Sequence, residues 1–242
     1  MIGRAASAEL RCRSVLLTGR RRAGSSILCL GGETMPKTRL ESFSDCIIAF
    51  AITLLILEIH LPDMGGSIDN GAMLKAIVSV LPNLLLYAIS FVVCTVWWIS
   101  HHSFIHDLLS VDRALLWLNS LFLMFIAFLP FPTGVLGHHP GQPVATAFYG
   151  MVCAITGLSF WMMRLYASQH AELMRPEIPT EERRRRVRIS LLSPLLYAGG
   201  ALLALLFPTL ALCIFAGIPA YFAIGNLGRS SPKYVTSRGI EG

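Results

Sequence analysis

The chain has 242 residues, of which 54% are hydrophobic and only 14% charged, with a mean hydropathy of +0.62. That balance excludes a soluble core wrapped in a charged surface and makes membrane lipid the main solvent. A formal net charge of +6 would suit nucleic acid, but no basic face interleaved with aromatic residues occurs, so the cations are read as topology signals and no nucleic acid as a partner.

Residues 1–34 are Arg-rich, and Arg11, Arg13, Arg20, Arg21 and Arg22 interrupt every apolar run there. No span fits. The segment reads as a disordered basic leader or as the product of a mis-assigned start, since Met35 stands just before Pro36-Lys37-Thr38-Arg39. Cys12 and Cys29 fall in this leader, whereas Cys46, Cys94, Cys153 and Cys213 lie inside apolar runs, so the thiols read as unpaired.

Six apolar segments follow, at 42–61, 75–100, 114–136, 144–168, 187–207 and 209–227. Each approaches the roughly 20 residues that cross a hydrocarbon core of about 30 Å. The last two are divided by Phe207-Pro208-Thr209, which predicts a tight turn at a membrane face. Residues 35–228 thus form a six-helix membrane domain, and 229–242 a short tail. With both termini cytoplasmic, 19 of the 20 Lys and Arg residues lie inside and Lys75 alone outside. The strongest anchor is Arg183-Arg184-Arg185-Arg186 before the fifth span, a solvated helix start or a lipid-binding patch.

The first span opens with Arg39, Glu41, Ser42, Ser44 and Asp45, more polarity than a plain anchor needs. Asp45 is the telling one. An ionised carboxylate facing lipid is costly, so it requires a protein or water partner; an interfacial cap is the plainer reading. Beyond it, Cys46, Phe50, Thr53, Leu54 and Leu57 share a face at about 3.6 residues per turn. That face is apolar with one hydroxyl, and periodicity leaves open whether it packs against another helix or lines a path.

Arg39-x-x-x-Phe43-Ser44-Asp45, followed by Ala49-x-Ala51-Ile52-Thr53-Leu54-Leu55-x-Leu57-Glu58, resembles the first helix of the transmembrane protein 175 family of potassium channels, its prokaryotic single-repeat members in particular. Trp97-Trp98-Ile99-Ser100-His101-His102 is similar to the end of that family's second helix. Leu118-Asn119 and Leu129-Pro130-Phe131-Pro132-Thr133 are similar to its third. The likeness covers residues 39 to about 136; the last three spans match in number and hydropathy.

This resemblance implies an all-α homotetramer in the cell membrane, in which the first helix of each six-helix subunit lines a central path for potassium ions, with no cofactor and no bound metal besides the permeating ion. It implies no Thr-Val-Gly-Tyr-Gly filter, and none occurs. The pore layers then fall on Phe50, Thr53, Leu54 and Leu57. Phe50 departs from the usual Ile or Leu. Arg39, Phe43, Ser44 and Asp45 become fastenings that tie the helix start to the second and third helices, with His101, His102 and Asn119 as candidate partners.

Rival readings are weighed on chemistry. His101-His102-x-x-x-His106 has the spacing of a metal-oxidase box, but such sites need several boxes, and His138-His139 falls on the opposite side. The chain is therefore read as no enzyme. A secondary transporter coupled to ions or protons would use Asp45 and Glu58, yet no inverted repeat is visible. A proton-permeable channel is the remaining alternative.

Overall fold

The computed structural model describes residues 37–62 and 69–227, with side chains to residue 222. The expectations for residues 1–34 and 229–242 lie outside these described residues. Within them the chain is helical, and no strand occurs beyond an isolated bridge between Leu108 and Met174.

The first span is α1, Lys37–Leu54, prolonged by a 3-10 turn, Leu55–Glu58. The second is split into α2, Asn70–Ser79, and α3, Leu81–Asp107, and the third into α4, Arg113–Phe128, and α5, Pro130–His138. Then come α6, Pro143–Gln169, α7, Thr180–Ala204, and α8, Pro208–Leu227. Among the described residues, five segments are long and apolar enough to cross a membrane: Lys37–Glu58, Asn70–Asp107, Arg113–His138, Pro143–Gln169 and Thr180–Ala204. The expected sixth segment is present as α8, an apolar helix of 20 residues. The fold is thus that of a multi-pass membrane protein.

Prolines punctuate these helices where the sequence places them. Pro82, Pro130, Pro143 and Pro208 all stand in first turns, where a missing N–H costs nothing. Asp69 and Asp112 cap α2 and α4, accepting from the backbone N–H of Ala72 at 2.7 Å and of Leu115 at 2.8 Å. The second carboxylate oxygen of Asp112 accepts from the Tyr166 hydroxyl at 2.6 Å, which draws the start of α4 to the end of α6.

The core joins all the main helices. Phe215 of α8 is buried in a notch made by Gly150 of α6 and Gly200 of α7, where any Cβ would strike its ring. Tyr149 and Tyr197 flank that ring at centroid distances of 5.8 and 5.6 Å. The Tyr149 hydroxyl shares a bond of 3.1 Å with Ser90, and Ser90 accepts from Thr133 at 3.1 Å. Three helices therefore satisfy their buried hydroxyls on one another. Large apolar side chains such as Trp117, Leu202 and Leu206 remain exposed.

Candidate pore face and its fastening

Helix α1 has two unlike sides. Leu40, Ser44, Ile48, Ala51 and Leu55 are buried against the rest of the chain. Arg39, Phe43, Cys46, Phe50, Thr53 and Leu57 point away from it. Phe50 and Leu57 are 64% and 63% exposed. Leu54 differs from the expected set: it is half-buried, because at about 100° per residue it lies on the flank between Phe50 and Ala51. Leu57 keeps its outward direction, but through the tighter 3-10 turn, which also exposes Ile56. Thr53 Oγ1 donates to the Phe50 carbonyl at 2.8 Å, so its proton is engaged and its lone pairs face outward.

The start of α1 runs antiparallel to the end of α3, and the two meet at four-residue intervals. Trp98 Nε1 donates to Asp45 at 2.9 Å. One turn on, His102 Nδ1 faces Glu41 Oε1 at 3.4 Å. At the next turn, Lys37 Nζ donates to the carbonyl oxygens of His106 and Leu108, at 3.4 and 3.1 Å. Asp45 thus has the partner its depth demands, and the partner is an indole rather than a cation. Nothing short of the helix register identifies Trp98 for this role, since an aromatic near a membrane face ordinarily reads as an interfacial anchor.

Beneath this ladder lies a buried relay. His101 Nε2 pairs with Asn119 Oδ1 at 2.8 Å, Asn119 Nδ2 donates to Ser44 Oγ at 3.1 Å, and Ser44 Oγ donates to the Leu40 carbonyl at 2.9 Å. All three side chains are buried, and the His101 ring stacks on Phe122 with centroids 5.5 Å apart. Of the expected fastening residues, Ser44, Asp45, His101, His102 and Asn119 come together. Arg39 and Phe43 do not: both point outward on the Phe50 side, because their spacing from Phe50 returns them to its face.

At the opposite end of α1, the half-buried Glu58 lies against Gly134 of α5, where a Cβ would collide with its carboxylate. His60 and His138 pair nearby with centroids 5.7 Å apart.

The chain has relatives among known proteins. The family described as endosomal/lysosomal potassium channel TMEM175 matches residues 39–130. A potassium channel of Streptomyces collinus is 34% identical over 158 residues, which make up 63% of this chain and 75% of that protein. One from Chamaesiphon minutus is 36% identical over 121 residues, or 48% of this chain and 59% of its own length. The crystal structure of a lysosomal potassium-selective channel TMEM175 homolog from the same organism superposes with a TM-score of 0.69 at 27% identity, over 78% of this chain and 97% of that one. The ordered motifs, the helical plan and these likenesses establish that the chain belongs to the TMEM175 family, a family of ion channels and not of enzymes.

Proposed function

We propose that the protein is a potassium-selective channel of the cell membrane, built as a homotetramer whose four α1 helices enclose the path, with both termini cytoplasmic. The observation that carries this reading is the unpartnered stripe of α1, Phe43, Cys46, Phe50, Thr53 and Leu57, on a helix whose other side is fastened down. One such helix encloses nothing. Closed rotational symmetry gives each stripe its counterpart and makes a channel from a single kind of subunit.

Chemistry along the stripe divides the labour. Phe50 and Leu57 form apolar rings that exclude water when narrow, a means of gating by dewetting. Leu54, half-buried, contributes at the edge of its layer. Thr53 alone offers oxygen, and with its proton held by the Phe50 carbonyl its lone pairs are directed at a dehydrating cation. Arg39 and Phe43, turned away from their own subunit, face the neighbouring one at the mouth. The names of the Streptomyces and Chamaesiphon relatives support potassium as the permeant ion.

The test is reconstitution of the purified chain in a planar bilayer with unequal potassium and sodium on the two sides. Reversal at the potassium equilibrium value is expected. No current, or flux that saturates and depends on a second ion, removes the channel, and reversal at the proton value replaces it with a proton-permeable one.

A further inference from the structure

The histidines at 101, 102 and 106 do not act as a set. His101 turns inward to Asn119, while His102 and His106, one helical turn apart, turn toward Glu41 at the start of α1. The rings of His102 and His106 meet edge to face with centroids 4.9 Å apart. Ligand atoms from all three side chains lie within 4.8 Å of one another.

Two details point to a cation. The separation of Glu41 Oε1 from His102 Nδ1, 3.4 Å, equals the edge of a tetrahedron whose corners lie about 2.1 Å from its centre, the bond length zinc takes to imidazole nitrogen and carboxylate oxygen. Yet Nδ1 makes no hydrogen bond and is closed to solvent. Facing the Glu41 carboxylate without a hydrogen bond to it, this shielded nitrogen keeps an unsatisfied lone pair or proton, and a metal ion between the two groups satisfies both. The neighbouring groups are otherwise engaged: Asp45 accepts from Trp98, and the Lys37 ammonium donates to the carbonyls of His106 and Leu108 rather than to Glu41.

We propose that Glu41, His102 and His106 form a binding site for zinc, with water in the fourth position. Two imidazoles and a carboxylate are the donor set of this borderline cation. The half-exposed site is open to a hydrated ion, His106 being its most exposed member. Bound there, the ion staples the start of α1 to the end of α3, and so restrains the helix that carries the outward stripe. That consequence for conduction rests on the channel reading; the binding itself does not.

Zinc titration of the purified full chain in detergent, followed by metal analysis of the separated protein, tests the site without any current. About one ion per chain is expected, with cobalt(II) giving the intense visible absorption of four-coordinate geometry when it replaces zinc. Glu41→Gln and His106→Gln should each weaken zinc binding at least tenfold, since outer-shell changes alone cost about 10–100-fold. His139→Gln, on the exposed turn after α5, should not. Absence of saturable binding, full retention of affinity in both site variants, or an equal loss in His139→Gln overturns the proposal.

Discussion

The Asn119 carboxamide sits between a ring nitrogen and a hydroxyl, and its orientation follows from what each side can offer. Ser44 gives its proton to the Leu40 carbonyl, so Oγ is left as an acceptor and must face the amide nitrogen. Asn119 Oδ1 then faces His101, which must carry its proton on Nε2. Asn119→Leu strands His101 in the core and should cost about 1–3 kcal/mol, seen as a lower melting temperature in detergent. Asn119→Asp keeps the acceptor for His101 but loses the donor to Ser44, so its loss should be different in origin and should diminish when Ser44→Ala is added. On the outward side, Phe50→Ala should raise unitary conductance by widening an apolar ring, and Thr53→Val should shift the potassium to sodium permeability ratio toward unity. Single-channel recording checks both, and unchanged permeation in the two variants removes this face from the path. Sequence alone marked Ser44, Asp45 and Asn119 through motif resemblance. It did not reveal that Trp98 answers Asp45, which depends on the register between α1 and α3, or that Leu54 is half-buried, which depends on which side of α1 packs against the rest of the chain; neither is written in local composition.

Between elements, the tightest fit is the lodging of Phe215 between Gly150 and Gly200. Aromatic rings on two sides leave Phe215 no room to retreat. Gly200→Ala gains helix propensity of up to about 1 kcal/mol, yet overpacking typically costs about 1–3 kcal/mol, so net destabilisation is expected. Phe215→Leu should partly rescue it. A double-mutant cycle on thermal unfolding measures the coupling, and strict additivity would show that the ring and the glycine do not meet. Hydropathy located the five long apolar spans and the apolar helix α8 but not this notch, since an apolar window does not say which glycine receives which ring. Helix ends were also only partly legible: the second span extends to Asn70 and Asp107 rather than 75 and 100, because the Asp69 cap and the polar end of α3 continue the helix beyond its apolar stretch.

For the whole molecule, the fold class and the count of apolar helices were open to reading because lipid imposes them: backbone groups must be satisfied within each segment, and only a helix of sufficient length does so. Assembly leaves a fainter trace, since a face reserved for a second subunit and a face reserved for lipid are both apolar. The four-chain arrangement should appear as a detergent-corrected mass four times that of one chain in light scattering; a monodisperse monomer or dimer would refute it. Helix α1 couples the two halves of the design, as the ladder to Trp98 and His102 and the outward stripe occupy one rigid cylinder. Their angular offset is consequently a conserved quantity under substitution but not under insertion. Any side chain on the stripe is exchangeable one for one, whereas one extra residue between Asp45 and Phe50 would swing the stripe by about 100° away from the axis, and an extra seven would bring it back to within about 20°. Lengthening of this segment is thereby compatible with the outward stripe only in steps close to whole pairs of turns.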